Sequence, residues 1–327
     1  MKAYYSKFPP GVPVSTKTVE GYSLVEMMIA ITIGLFIIAA LLGVVSSSAR
    51  NSKTNERTSE VQTNGRYALN SMRRELREAG YRGYTWAEPN TPTTTITPLT
   101  NECLEAGATA GAFVTNIRQG IWGANDSNPF SGSCIPAANY GGDDVLVIRR
   151  LADTPTTTLV ANTIYFHSSY AVGEVFRGTT APTFTGASPL ANFAVKTYVY
   201  FISPYTNSAT ESPQIPALYR VALQADGSMA AELVASGIEH MQVQYGRTTT
   251  DLNTRYYNAS AITGTSTSTA QSDWDDVNVV RIWLLARNST IEPGYVNTNT
   301  YAMGDQTYTV NDGFRRQLFT TVVQLRN

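Results

Sequence analysis

Glu26 stands at the head of an apolar run, Met27 to Val45, and no other charged side chain follows until Arg50. The 19 residues of that run reach about 29 Å at 1.5 Å per residue, the hydrocarbon thickness of a bilayer. An ionised carboxylate inside such a segment costs about 2.5–3.5 kcal/mol at the bilayer centre and less near an end. A group kept at that cost is expected to have a partner, the alternative being a carboxylate that snorkels to the interface. An ammonium about 4 Å away would attract it by about 4 kcal/mol at an effective dielectric near 20, enough to offset the burial.

Other residue types that could do chemistry are few. Cys103 and Cys134 are the only cysteines and His167 and His240 the only histidines. Neither cysteine lies in a short Cys/His cluster, so metal ligation is not expected of them. His240 alternates with strand-forming residues and reads as a satisfied or exposed strand histidine. No Gly-x-Ser-x-Gly elbow and no phosphate-binding glycine loop occurs. Asp143-Asp144 and Asp273-Trp-Asp275-Asp276 could supply oxygens to a hard cation. The second cluster departs from the EF-hand pattern, because Val277 occupies a ligand position and no glycine follows, so ordinary turn and strand-edge acids are expected. No enzyme activity, catalytic residue, cofactor or metal is expected.

The elements that position these groups follow from period and punctuation. From Leu24 to Ala79 there is no proline, and Leu69, Met72, Leu76 and Ala79 recur at three- and four-residue steps. The apolar helix is therefore expected to continue past Val45, with Gly65 as a point of bending, and to end at Gly80-Tyr-Arg-Gly83. Arg50 to Arg82 carries eight basic residues against Glu56, Glu60, Glu75 and Glu78. Two readings stand: a solvated helical face, or a surface that docks on acidic neighbours. A Pro/Thr-rich connection, Pro89 to Pro98, follows, and beyond it the period changes to two.

Strands are expected at Asp144 to Arg150, Thr163 to His167, Phe193 to Ile202, Ala217 to Leu223, Glu239 to Tyr245, Val277 to Ala286 and Gln317 to Leu325. Ala225-Asp-Gly-Ser228 reads as a hairpin turn, and Asn258 to Ser272 as a mobile Thr/Ser/Ala-rich loop. The fold class is α+β, a long N-terminal helix packed by its outer half on antiparallel sheet.

The chain has 327 residues, with 24 basic and 25 acidic side chains, which argues against a polybasic nucleic-acid binder. Beyond residue 21 only Lys53 and Lys196 are lysines. Basic residues flank the apolar run on both sides, Lys7 and Lys17 before it and Arg50, Lys53 and Arg57 after it, so charge alone leaves its orientation open. Were the chain exported, Cys103 and Cys134 would face an oxidising compartment and a disulfide is expected. Its closure would contribute about 3–4 kcal/mol in the chain-entropy model. The loop it closes, Ala106 to Gly132, is rich in Gly, Ala, Asn and Ser and is expected to bury little.

Gly21-Tyr-Ser-Leu-Val-Glu26-Met-Met-Ile-Ala-Ile-Thr-Ile-Gly34 resembles the processing site of type IV prepilins. Tyr22 stands where phenylalanine is more frequent, and Glu20 sits just before the glycine. Three further segments, Ser71 to Gly83, Ile238 to Gly246 and Phe314 to Asn327, resemble the PilW group of minor pilins, whereas residues 84–140 carry no such likeness. The resemblance implies that prepilin peptidase cuts after Gly21 and N-methylates Tyr22. A Sec-type signal would instead be cut near Ser46 to Ala49.

The organisation implied is a cleaved leader, residues 1–21, a long helix, 22–83, crossing the inner membrane at 24–45, and an exported β-rich domain, 84–327, of type IV pilin-like fold. Glu26 would be the assembly residue, meeting the N-terminus of an adjacent subunit, and Gly34, Ala39, Ala40 and Gly43 would permit close helix approach. The implied function is that of a minor pilin that primes and joins type IV pilus assembly. Its partners would be prepilin peptidase, other minor pilins, the major pilin and a PilY-type tip adhesin. The domain would face the periplasm and then enter the pilus, near its tip. Two alternatives stay open, a J-type pseudopilin of type II secretion and a membrane-tethered periplasmic binding module that never polymerises.

Overall fold

The computed structural model describes residues 21–185, 188–248, 253–264 and 272–326. Residues 1–20, which hold nearly all of the expected leader, lie outside the described residues. The chain divides into two compact units, the first ending at Lys53 and the second running from Thr54. Helix α1, Leu24–Arg77, begins in the first. There its large apolar side chains, Leu24 to Val45, are exposed, and the helix is long enough and apolar enough to cross a membrane.

In the second unit the strands are β1 (Ile121–Ala124), β2 (Val145–Leu151), β3 (Ile164–Ser168), β4 (Gly173–Arg177), β5 (Ala191–Ser203), β6 (Ala217–Leu223) and β7 (Met229–Ser236). They are followed by β8 (Ile238–Thr248), β9 (Thr254–Tyr257), β10 (Val277–Arg287), β11 (Thr300–Met303), β12 (Gln306–Thr309) and β13 (Arg316–Gln324). All seven expected strands form, each within a few residues of its expected bounds. Strands β1 to β7 make one antiparallel sheet around β5, which pairs with β3 through Ala191 to Ala194 and with β6 through Tyr198 to Ser203. A second sheet runs in the order β13-β10-β8-β9, and β11 and β12 form a separate hairpin. The β6–β7 hairpin turns where the sequence indicates: Gly227 has φ +80°, a conformation that costs glycine little. Asp226 Oδ1 accepts from the Ser228 amide at 2.9 Å.

Two cores result. In the first, Val61, Ala68, Met72 and Leu76 of α1 pack with Leu146 and Ile148 of β2, Ile282 and Leu284 of β10, and Phe319 and Val323 of β13. In the second, Val145, Val147 and Leu151, on the other face of β2, meet Phe113, Val114, Ile117, Phe130 and Ile135. The loop between the cysteines therefore buries a row of large side chains, contrary to the expectation from its composition. Their irregular spacing, around a four-residue helix α2 (Ala112–Thr115), gives no period to read.

Strand β2 sends adjacent arginines to these opposite cores. Arg149 donates through Nε to the Phe113 carbonyl at 2.9 Å and through Nη1 to the Gln119 carbonyl at 3.1 Å, with its guanidinium 4.4 Å from the Phe113 ring centre. Burial lowers its pKa to about 10. Arg150 points to α1, where Nη2 meets Glu75 Oε2 at 2.7 Å and Nη1 meets Glu78 Oε2 at 2.8 Å. Glu75 is 2% exposed, so it does not belong to a solvated helical face.

Three further features depart from the sequence reading. Gly65 is a packing site, since a methyl built there would lie inside the contact distance of the Phe319 ring. Helix α1 stops at Arg77 because the amides of Glu78 and Ala79 turn to i−3 carbonyls and Gly80 N donates to Arg149 O at 2.9 Å. The stretch read as a mobile loop begins with a packed turn, Ala259–Ala261, that buries Ala259 and Ile262; its residues 265–271 lie outside the described residues.

Candidate functional site

The start of α1 is built from Ser23 and Glu26. Ser23 Oγ accepts from the amides of Val25 (3.2 Å) and Glu26 (3.5 Å), and Glu26 Oε2 accepts from Ser23 N at 3.1 Å. This is a reciprocal capping box, in which the helix's unsatisfied first amides find side-chain acceptors. Its signature, Ser-x-x-Glu, is legible in the sequence, and the carboxylate it engages is the one singled out above. Gly21 and Tyr22 precede the helix and are exposed, as is Glu26. A methyl on Gly34 or Gly43 would meet nothing, so both leave the helix surface open to close approach.

Cys103 and Cys134 are joined by a disulfide. Both are buried within the second core, and the bridge closes the segment that supplies Phe113, Val114, Ile117 and Phe130 to it.

Asp143, Asp144 and His240 form a polar cluster beneath the β11–β12 hairpin. Tyr308 stacks on His240 with ring centres 3.8 Å apart, and its hydroxyl donates to Asp143 Oδ1 at 2.8 Å. His240 Nδ1 lies 3.0 Å from the same oxygen. Asp144 Oδ1 accepts from the Asp126 amide at 3.0 Å and Oδ2 from the Val243 amide at 2.7 Å. Asp126 in turn takes Gln242 Nε2 at 2.8 Å and Gln306 Nε2 at 2.7 Å. Asp143 and Asp144 are each 1% exposed, so they are buried hubs and not the turn or strand-edge acids their dipeptide suggested. Burial pushes the Asp144 carboxyl up to about 7 and that of Asp143 upward.

The second acidic cluster does behave as turn chemistry. Asp273–Asp276 is a single 3-10 turn capped by Ser272, and Asp273 Oδ1 and Asp276 Oδ2 receive Arg247 Nη2 at 3.0 and 2.9 Å. His167 Nδ1 lies 2.6 Å from Asn192 Oδ1, a strand-to-strand contact between β3 and β5. Among the described residues no group of three or more His, Cys, Asp or Glu side chains is placed to hold a metal ion. The hairpin residues Tyr308 and Gln306 and the strand residue Gln242 were missed, because polar side chains on short strands carry no sign of what they will touch.

Residues 199–327 match the family model of PilW, the type IV pilus-assembly protein W. This region of the chain is PilW-like. It runs from within β5 through β13, so it contains His240, Gln242 and the hairpin, whereas α1, the cystine, Asp126, Asp143 and Asp144 lie ahead of it. Two of the segments whose sequence resembles PilW, Ile238 to Gly246 and Phe314 to Asn327, fall inside the matched residues. Among solved structures, a type IV-like pilin from Thermus thermophilus is similar at 13% identity, over 79% of this chain and 92% of that one, with a TM-score of 0.32. No curated protein matches the chain.

Proposed function

We propose that the protein is a non-enzymatic minor pilin that primes type IV pilus assembly and enters the filament near its tip. The observation that carries this is the PilW-family match over residues 199–327 behind an exposed apolar helix whose first turn holds Ser23 and Glu26. In this reading prepilin peptidase removes residues 1–21, Tyr22 becomes the methylated N-terminus, and α1 anchors the protein in the inner membrane with the β-rich unit in the periplasm. Other minor pilins and the major pilin are the assembly partners, and a PilY-type adhesin is the cargo of the tip complex. Glu26, capped on its own helix, supplies the counter-charge for a neighbouring subunit's N-terminal amine. The test is a deletion strain scored for surface pili and for exoprotein secretion. Loss of pili with secretion intact supports the reading; lost secretion with normal pili would assign the protein to a type II secretion filament.

A further inference from the structure

Strand β13 ends the second sheet, and among the described residues its outer edge is unpaired. The ladder bonds Leu325 N to Asn278 O (2.9 Å) and Asn288 N to Arg315 O (3.1 Å) fix which residues face β10. Because bonded and non-bonded pairs alternate in an antiparallel ladder, Thr320, Val322 and Gln324 present their N–H and C=O groups outward. All three are exposed, and no described residue accepts those amides. Edges of this kind are usually covered or charged, since they template further pairing.

Alongside this edge runs a row of cations. Arg66, Asn70, Arg73 and Arg77 follow one another at four-, three- and four-residue steps along α1, so they share a face. Arg73 and Arg77 line a groove of about 430 Å³ together with Val322 to Arg326. Of the acids near this row, Glu75 on α1 is buried against Arg150 and Glu60 accepts from Ser289 at 3.2 Å, while Glu78, just past the helix end, pairs with Arg150 and also lines a groove with Asn70, Arg73, Arg77 and Arg326, so the row keeps a cationic excess. Arg66, Arg73, Arg77 and Arg326 are exposed and make no ion pair among the described residues.

We propose that the β13 edge and the arginine row form an acceptor site for an extended, carboxylate-rich segment of another protein, added as a further strand of the second sheet. Backbone groups of Thr320, Val322 and Gln324 would supply main-chain hydrogen bonds, and the guanidinium groups of Arg73, Arg77 and Arg326 would select acidic side chains. Charge decides the occupant. A second copy paired on the same edge would set one arginine row against another, which like-charge repulsion disfavours. Residues 1–21 carry three lysines and one glutamate and have the wrong sign. The site is a binding surface beyond the assembly role proposed above and stands whether or not that role does.

The test uses the full chain in detergent micelles and a fluorescent seven-residue peptide, Thr-Glu-Val-Glu-Val-Asp-Thr, with a peptide of the same pattern bearing lysines as control. The acidic peptide is expected to bind saturably and more weakly at high salt, and to slow hydrogen exchange at the amides of Thr320, Val322 and Gln324. Val322→Pro removes an outward N–H that makes no ladder bond, so the fold should persist while affinity falls by about tenfold or more. Arg73→Glu with Arg77→Glu should lower affinity similarly without touching β13, which keeps the test valid if the proline variant unfolds. Absence of binding, equal binding of the lysine peptide, protection elsewhere on the protein, or self-association through β13 would overturn the proposal.

Discussion

Glu75 on α1 and Arg150 on β2 join the helix to the first sheet through a buried ion pair: Nε and Nη2 of Arg150 share Glu75 Oε2 at 2.8 and 2.7 Å. The side chains are 3% and 9% exposed. Burial works against the charge on Arg150, but the carboxylates of Glu75 and Glu78 outweigh it and hold the guanidinium above its ordinary range. Glu75→Ala would remove the buried partner of Nε and Nη2 and leave Arg150 only the more exposed Glu78 and Asp153 at Nη1, so a loss of about 2–4 kcal/mol, somewhat below that of breaking an isolated buried pair, is expected in denaturant unfolding. A loss below about 1 kcal/mol, the scale of a surface pair, would show that the contact is solvated.

Gly65→Ala separates helix propensity from packing. Alanine should favour an isolated helix by about 1 kcal/mol, yet its methyl collides with the Phe319 ring, and overpacking costs about 1–3 kcal/mol. The thermal midpoint is expected to fall, and Phe319→Leu in the same chain to restore part of it. A stabilised single variant would contradict the close approach.

The Asp144 carboxyl, raised to about 7 by burial, ties stability to pH. The native state keeps a proton that the unfolded carboxyl releases near its ordinary value of 3.8. The contribution is therefore complete below about pH 4 and is lost as pH rises through 7. Asp143 Oδ1 and Oδ2, Asp126, Asp305, Tyr140 and Tyr308 line the same cluster, and His240 faces Asp143. Denaturant midpoints between pH 5 and 8 should slope downward for the native sequence and flatten for Asp144→Asn.

Glu26 joins two roles that a conservative change can separate. Glu26→Gln keeps an acceptor for Ser23 N but loses the charge, whereas Glu26→Ala loses both. If the charge meets a neighbouring N-terminal amine, both variants should be cleaved to a chain beginning at N-methylated Tyr22 and both should reduce surface pili by about tenfold or more. Piliation restored by Gln would reduce Glu26 to a helix cap. Intact mass and pilus counts supply the two readouts.

The cystine should be visible as linked Cys103 and Cys134 peptides in non-reducing maps of envelope-isolated protein. Cys103→Ser with Cys134→Ser should lose stability by about 3–4 kcal/mol, with the segment containing Phe113 and Phe130 becoming the first to exchange its amides. Two freely alkylated thiols in native protein would refute the bridge.

Long periodic elements were legible. The helix from Leu24, the seven apolar strands and the Asp226-Gly227 turn follow from spacing that one face or one turn imposes, and each can be read without knowing its neighbour. Strands β1, β9, β11 and β12 carry no legible period because four residues hold too few alternations to count, and β4, Gly-Glu-Val-Phe-Arg, is as short as β3 and opens on a glycine and a charge. Strand β7, Met-Ala-Ala-Glu-Leu-Val-Ala-Ser, has helix-forming composition and is extended because the turn before it lays it against β6.

At the candidate sites the division is the same. The sequence by itself determined the apolar run, its lone carboxylate and the pair of cysteines, all of which are local or follow from counting. Tertiary structure alone decided that Glu75 is a buried partner while Arg73 and Arg77 stay free beside an open strand, and that Asp143 and Asp144 lie beneath Tyr308. The reason is physical: a charge's cost and its partner depend on what the fold brings within a few ångströms of it, and residues 75 apart in Glu75 and Arg150, or 165 apart in Asp143 and Tyr308, share no period that could announce the meeting.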